Sequence, residues 1–341
     1  MMAKNKIGRQ SVRPERPVYL PFWASVAGKK EREGPLGRLY DYTSTDTKFG
    51  EKTWEQAEKR MQQLALELLL KKAGLCADQL ELVLSGDLLN QCIGSSFSLR
   101  NTGIPHLGLY GACSTMAEGL LLSSMVVGGG YADQAAALTS SHFASSERQY
   151  RFPLGYGGQR TPTAQWTVTG SGAVLVSAKS SAVELTGGTI GTVTDLGITD
   201  AANMGAAMAP AACHTILAHF TDFQRTARDF DLIVTGDLGS VGHQALHTLL
   251  EREGLSLGSR LVDCAAMVFD PATQDVHAGG SGCGCSAIAL CSDLLGRLES
   301  GSLRRILFCG TGALLSPTST QQGLPIPGVC HAVCLEGRRT P

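Results

Sequence analysis

The sequence contains one pattern twice, about 150 residues apart, and this repeat constrains the fold more than any single residue does. In each copy an amphipathic segment leads to a short apolar run that ends in Gly-Asp-Leu, at residues 80–88 and at residues 230–238. A turn of small residues then begins an apolar helix, at residues 111–115 and 282–286. The repeat predicts a duplicated α/β unit whose copies pack together and form a pocket where they meet.

Hydrophobic periodicity predicts alternating strands and helices in both copies. Residues 52–73 have the spacing of an amphipathic helix, with Gly74 as its C-cap. Residues 114–127 are apolar nearly all round, which is typical of a helix inside the protein. We therefore expect mostly parallel sheets covered on both faces, stacked in five layers as helix, sheet, helix, sheet and helix. The helices at residues 114–127 and 285–299 would form the middle layer.

No low-complexity linker divides the chain, so we expect one fused body. The first half would span residues 17–181 and the second half residues 182–336, followed by a short tail at 337–341. Residues 1–16 carry five basic side chains against one acidic side chain. This composition predicts a disordered, solvated tail, or else a segment weakly attracted to anionic lipid or to an acidic partner.

Composition excludes several classes of protein. The formal net charge of −1 over 341 residues argues against nucleic-acid binding, which requires a basic surface. The 11 cysteines are irregularly spaced, as in a reduced protein, and lack the paired spacing of a zinc site. We therefore predict no metal and no cofactor. The N-terminal sequence is polar, and the apolar runs are shorter than a membrane span, so we expect a soluble protein.

Cys113 is the candidate for chemistry, because it stands at a strand-to-helix turn before the buried helix. Backbone N–H groups and the helix dipole at such a turn favour an anion, which would lower the pKa of the thiol. A nucleophilic cysteine also needs a base and donors for the oxyanion. The alternative is that Cys113 only packs, as free cysteines often do.

The Ala-Cys-Ser turn at Cys113, on a duplicated α/β body, resembles the thiolase and ketoacyl synthase superfamily. The resemblance implies a thiolase-like fold in which this cysteine is the acylated nucleophile. The superfamily supplies His or Asn partners from two later motifs. These fall on residues 235–237 and 279–284 here, and neither segment contains His or Asn. We therefore expect the fold and the position of the nucleophile without the catalytic pair.

Longer strings of residues resemble the stage V sporulation protein AD family, at 110–116, 147–154, 156–170 and 279–287. This resemblance implies a protein of spore-forming bacteria that binds dipicolinic acid (pyridine-2,6-dicarboxylate) or its calcium chelate without catalysis. It also implies synthesis in the cytoplasm, attachment to the inner membrane of the developing spore, and action with membrane proteins of the same transport system. The alternatives are an acyltransferase that uses Cys113, and a structural subunit with a vestigial pocket.

Planar carboxylates are well bound by arginine forks and by helix N-terminal amides. We therefore expect the ligand in the cleft between Cys113 and the turn at 279–284. Aromatic rings near residues 143–166 could stack on a pyridine ring. The basic loop at 148–160 could instead be a structural clamp, and His142 a satisfied hydrogen-bonding group. The predicted ligand-binding residues are Cys113, Ser114, Gly236, Gly280, Gly282, Cys283, His142, Arg148 and Arg160.

The superfamily resemblance also implies a homodimer. The strand at residues 134–138 would lie at the edge of the first sheet and pair with its copy across a two-fold axis, which removes an exposed edge. A membrane-bound assembly would favour a monomer instead.

Overall fold

Two sheets of five strands, one from each half of the chain, form the framework of the protein, and one antiparallel pairing between Glu184 and Tyr19 joins them. The computed structural model describes residues 3–150 and 159–338. The strands in chain order are β1 (Lys6–Ile7), β2 (Ser11–Val12), β3 (Tyr19–Ala27), β4 (Tyr42–Thr43), β5 (Val83–Gly86), β6 (His106–Gly108), β7 (Gln134–Ser141), β8 (Trp166–Thr167), β9 (Gly170–Ser177), β10 (Val183–Thr189), β11 (Leu232–Thr235), β12 (Leu261–Asp263), β13 (Gly280–Ser281), β14 (Arg305–Ala313) and β15 (Gly328–Gly337). The helices are α1 (Lys29–Arg32), α2 (Trp54–Ala73), α3 (Ile93–Leu99), α4 (Thr115–Gly128), α5 (Phe143–Tyr150), α6 (Met204–Phe223), α7 (Gly239–Arg252), α8 (Cys264–Val268), α9 (Cys283–Ala289), α10 (Leu295–Glu299) and α11 (Pro317–Gln321).

The two helices that the sequence predicts most clearly form where expected. The hydroxyl of Thr53 caps α2 by accepting from the Gln56 backbone N–H, and Gly74 ends the helix in the left-handed conformation at φ 65°. α4 is buried along most of its length. The predicted helix at 285–299 is α9 and α10, joined by the π-helical turn Leu290–Leu294. Within the described ranges, no helix is long and apolar enough to cross a membrane.

The two sheets have the same topology. The first has the spatial order β6-β5-β7-β9-β3, and the second has the order β12-β11-β14-β15-β10. In each sheet the fourth strand, β9 or β15, is antiparallel to both of its neighbours. The predicted duplication is therefore confirmed. The sheets are mixed rather than mostly parallel, because the chain returns to β9 and to β15 without a helical crossover over the sheet.

The layers are the five that the sequence predicts. α4 contacts β5 and β7 of the first sheet as well as β14 and β15 of the second, and it also packs against α9. Apolar side chains of both helices and both sheets form one central core, including Met116, Leu120, Ile288 and Phe308. α2 and α3 cover the outer side of the first sheet, and α6 and α7 cover that of the second. This arrangement is the thiolase-like fold.

The segments expected to be tails are folded in the described residues. β1 and β2 form a hairpin, and β2 pairs with β10 of the second half. The carboxylate of Asp222 accepts hydrogen bonds from the backbone N–H groups of Arg9 and Gln10, at 3.0 and 3.1 Å. At the other end, the Arg338 guanidinium pairs with Glu184 at 3.0 Å. Specific pairing thus orders residues whose composition predicts only solvation.

The expected edge strand is wrong. β7, which contains residues 134–138, lies between β5 and β9 and is paired on both sides. The outermost strand of the first sheet is β6, which pairs with β5. β6 has only three residues and carries the exposed Leu107, so its sequence gives a weak strand signal.

Candidate functional site

A cavity of about 340 Å³ opens beside Cys113, where the two halves meet. It lies at the N-terminal end of α4, as the sequence predicts. The first half contributes the loop at 87–92, the turn at 110–113 and one face of α5. The second half contributes Ser281, Met204 and the segment at 313–316.

Local hydrogen bonds brace the turn that carries Cys113. Ala112 adopts the left-handed conformation at φ 49°, and its carbonyl accepts from the Thr115 hydroxyl at 2.6 Å. The Ser114 hydroxyl donates to the Gly111 carbonyl, also at 2.6 Å. Because this hydroxyl is committed to the turn, the predicted ligand residue Ser114 lies behind the cavity wall. Cys113 itself lines the cavity while only 5% exposed.

The carboxyl group of Asp237 lies near the thiol of Cys113, and each group influences the pKa of the other. Asp237 lies just after β11 and is fully buried. Its Oδ1 accepts from the Thr311 hydroxyl at 2.8 Å, and its Oδ2 accepts from the Gly282 backbone N–H at 2.8 Å. One carboxyl group thus connects the Cys113 turn, the last motif of the second half and strand β14.

Burial determines the protonation of this pair. It raises the pKa of the Asp237 carboxyl to about 7, although the surrounding donors oppose the shift. Burial also raises the pKa of the Cys113 thiol well above its usual value, and the neighbouring Asp237 charge raises it further. The expectation of a lowered thiol pKa is therefore wrong. The helix N-terminus favours a thiolate, but desolvation and a nearby carboxylate outweigh it.

The glycine turn of the second half is closed rather than open. Gly282 has φ 94°, and a Cβ there would come within 2.7 Å of the Ser141 hydroxyl oxygen. The Cys283 thiol donates to the Ser140 carbonyl at 2.9 Å. The end of β7 thus fills the space that we expected the glycines to leave for a ligand. Of residues 280–283, only Ser281 lines the cavity.

Two other predicted glycines serve packing. Gly280 lies in β13, which pairs with β8 at Trp166. A Cβ on Gly236 would lie 3.0 Å from the Thr311 backbone nitrogen. Both glycines allow backbones to approach closely behind the site.

His142 is a neutral hydrogen-bonding group away from the cavity. Its Nε2 lies 2.8 Å from the Thr47 carbonyl and its Nδ1 accepts from the Ala144 backbone N–H, which fixes the tautomer with the proton on Nε2. Burial lowers the pKa of this imidazole. These contacts agree with the interpretation of His142 as a residue whose hydrogen-bonding groups are all satisfied within the protein.

The structure does not bring the described arginines to the cavity. Arg148 pairs with Glu55, and Arg160 pairs with Asp275 at 2.9 Å. The ring of Trp166 stacks on Phe143 at a centroid distance of 3.8 Å, and Arg160 lies over the same ring. These contacts match the structural-clamp alternative. Residues 151–158 of the predicted loop, including Arg151, lie outside the described residues.

Sequence reasoning missed the two aspartates of the repeat. Asp87 and Asp237 occupy equivalent positions after β5 and β11; Asp87 lines the cavity, and Asp237 lies near Cys113 behind the cavity wall. The Asp87 carboxylate accepts from the backbone N–H groups of Leu89 and Ser95 at 2.8 and 2.7 Å. The repeated Gly-Asp-Leu string was the available signal. The comparison with the superfamily motif considers only whether residues 235–237 contain His or Asn, and it gives Asp237 no role.

The cavity offers hydroxyl groups, a protonated thiol and aromatic rings. Its described lining includes Tyr110, Ser146, Tyr150, Thr167 and Ser281, and contains no lysine, arginine or histidine. Across residues 3–150 and 159–338, no three His, Cys, Asp or Glu side chains are grouped as a metal site would require. The site can therefore bind a small, partly apolar molecule through neutral donors.

The fold and the site define a thiolase-like protein, and solved structures share its architecture. OleA from Xanthomonas campestris superposes with a TM-score of 0.62 at 14% identity, covering 94% of this chain and 99% of that one. The 3-oxoacyl-[acyl-carrier-protein] synthase III of Aquifex aeolicus VF5 gives 0.55 at 13% identity, covering 94% and 99%. At such low identities the likeness concerns the fold alone.

Sequence comparison then identifies the family. Residues 8–336 match the stage V sporulation protein AD family. The chain is 45% identical to the stage V sporulation protein AD of Bacillus subtilis strain 168 over 329 residues, which cover 96% of this chain and 97% of that protein. This chain belongs to the stage V sporulation protein AD family, and its role lies in sporulation.

Proposed function

We propose that this protein binds dipicolinic acid, or its calcium chelate, in the Cys113 cavity without reacting with it. One observation carries the proposal: at the position of the superfamily's nucleophile, Cys113 is a buried thiol whose pKa is raised by burial and by the neighbouring Asp237 carboxyl. A nucleophile requires the thiolate, which this environment disfavours. The cavity in front of the thiol nevertheless remains open.

The cavity's size and lining support a small aromatic diacid as the ligand. About 340 Å³ is the lower end of the range for small-molecule pockets. Tyr110, Tyr150 and Leu315 provide flat apolar surface for a pyridine ring, and the hydroxyls of Ser146 and Ser281 provide polar contacts.

Calorimetric titration tests this proposal. Dipicolinate, with and without equimolar calcium, is titrated into the purified protein beside isophthalate, which has the same two carboxylates but no ring nitrogen. We expect saturable 1:1 binding of dipicolinate or its chelate and at least about tenfold weaker binding of isophthalate. Equal affinity for all of the diacids, or no heat with any of them, would refute the proposal.

The geometry also favours a second candidate function, acyl transfer by Cys113. The Asp237 carboxyl lies near the thiol, and burial raises its pKa to about 7, which is near the optimum for a general base at neutral pH. Intact-mass analysis after incubation with acetyl-CoA and with a longer acyl-CoA separates the two functions. We expect no adduct. A stoichiometric acyl adduct that Cys113→Ala abolishes would establish the transferase instead.

We further propose a homodimer that forms through β6, the outermost strand of the first sheet. Leu107 of β6, Tyr110, and Ile93 and Phe97 of α3 are large exposed apolar residues on this side of the molecule. Pairing β6 with its copy would cover an exposed edge. Sedimentation that finds only a 35.9 kDa species at micromolar concentration would contradict the dimer.

Action at the inner membrane of the developing spore, with membrane proteins of the same transport system, is also part of the proposal. Membership of the sporulation family supports it. The test is fractionation of sporulating cells with antibody against this protein, before and after removal of the partner membrane proteins. We expect the protein in the membrane fraction only while those partners are present.

A further inference from the structure

The hydroxyl of Ser146 is a buried polar group without a partner among the described residues, and it lines the cavity. Ser146 lies in α5 and is 3% exposed. Serines in helices usually direct the hydroxyl to a carbonyl three or four residues back. The adjacent Ser145 does so at the His142 carbonyl, at 3.1 Å, and it also donates to Glu58. Ser146 makes neither kind of contact.

An unsatisfied buried hydroxyl is costly, so its presence beside a cavity requires a reason. Leaving such a group without a hydrogen bond destabilises the folded protein. The cost is recovered when a ligand provides the missing partner. The missing partner of the Ser146 hydroxyl is therefore expected to be a polar group of the ligand.

Two other polar groups of the cavity wall are already engaged. Thr167 donates to the Glu147 carboxylate at 3.1 Å. The Asp87 carboxylate is saturated by donors from its own loop and from Ser95. Because the described lining contains no cationic side chain, a bound carboxylate there depends on neutral donors, and Ser146 has one free.

Tyr150 lies one helical turn after Ser146 and also lines the cavity. Residues four apart lie on the same face of a helix. One face of α5 thus presents a hydroxyl donor and an aromatic ring together. This pair suits a flat ring that carries a carboxylate.

We infer that Ser146 is a ligand-binding residue whose hydroxyl donates a hydrogen bond to a carboxylate of the bound aromatic diacid. This inference rests on the proposed function and adds the group by which the site recognises its ligand.

Ser146→Ala tests the inference, and Ser123→Ala is its matched control. Ser123 is a second buried serine whose hydroxyl has no partner among the described residues, but it lies inside α4 and does not line the cavity. By calorimetry with dipicolinate, we expect Ser146→Ala to weaken binding about 10- to 100-fold, as a lost hydrogen bond to a charged group does. Ser123→Ala should bind as wild type does.

Thermal unfolding without ligand gives a readout that a structural role would change. Because neither hydroxyl has a partner among the described residues, we expect both alanine variants to keep or slightly raise the melting temperature. Ser146→Cys keeps the shape of the side chain with a weaker donor, and it should also lose affinity.

The outcomes separate the two proposals. If wild type binds dipicolinate and Ser146→Ala binds it equally well, the inference is overturned while the proposed function stands. A lower melting temperature for Ser146→Ala, but not for Ser123→Ala, would show a structural partner and also overturn it. If wild type binds no diacid, the proposed function fails and the assignment of Ser146 fails with it.

Discussion

The turns before α4 and before α9 occupy equivalent positions in the repeat, but one is open to a cavity and the other is closed by packing. At the first, Cys113 faces an open cavity. At the second, the backbone N–H of Gly282 is bound to Asp237 and the thiol of Cys283 is bound to the Ser140 carbonyl. Equivalent turns thus provide an open binding wall in one copy and a closed packing contact in the other.

The difference shows how one duplicated turn can form an open cavity wall in one half and a closed packing contact in the other. In the second half, Asp237 and Gly282 bind each other. Their hydrogen bond fixes the back of the cavity. The site therefore depends on both turns, on one for its opening and on the other for its rigidity.

The largest effect should come from placing the same bulky residue at each turn. We expect Cys113→Trp to fold, because the indole can enter the cavity, and to lower affinity for dipicolinate at least about 100-fold, measured by calorimetry. Cys283 is fully buried away from the cavity, so Cys283→Trp should lose the folded state. A folded Cys113→Trp that binds dipicolinate as wild type does would place the site elsewhere.

A smaller effect is expected from Asp237→Asn, which removes the charge of the side chain and keeps its hydrogen bonds. Its pKa rises on folding from 3.8 to about 7, so the folded protein keeps a proton that the unfolded chain has released. This contribution to stability is complete below pH 3.8 and is lost as the pH rises to about 7. Asp237→Asn can still accept from Gly282 and can donate to Thr311.

We therefore expect Asp237→Asn to lose less stability than wild type between pH 4 and pH 7, by about 2–4 kcal/mol in urea unfolding. Other buried carboxyls, such as Glu58 and Asp87, have raised pKa values in both proteins and cancel in the comparison. Parallel curves for the two proteins would contradict the raised pKa of Asp237.

The smallest effect is expected from valine substitutions at Gly282 and Gly301, which compare steric crowding together with backbone strain against backbone strain alone. Both Gly282 and Gly301 have positive φ, 94° and 74°, but only Gly282 has atoms within reach of a new Cβ. Gly282→Val should therefore destabilise the protein about 1–3 kcal/mol more than Gly301→Val does, measured by urea unfolding. Equal losses would mean that the second turn is less closed than the structure indicates.

Sequence reasoning reached the fold because local patterns determine it. The repeat, the cap at Gly74 and the apolar α4 each require only neighbouring residues to be recognised. The sequence predicts only part of the candidate site. Cys113 has a local signature, but the role of Asp237 depends on Gly282 and Thr311, which are 45 and 74 residues away in the sequence.

For the arginines, the sequence predicts a ligand contact that the structure does not show. The charge of Arg148 and Arg160 suggested a dianion site, but partners from distant segments, Glu55 and Asp275, bind them instead. Composition identifies an available charge and does not identify the group that pairs with it.

The N-terminal hairpin has a consequence for the order in which the protein folds during synthesis. β2 pairs with β10, and Asp222 holds Arg9 and Gln10 across more than 200 residues of sequence. The ribosome produces these partners long after the hairpin itself has emerged, because synthesis runs from the N-terminus. Residues of the hairpin are thus made well before the partners that fix them, and a nascent chain halted before Asp222 would leave the hairpin open to proteases.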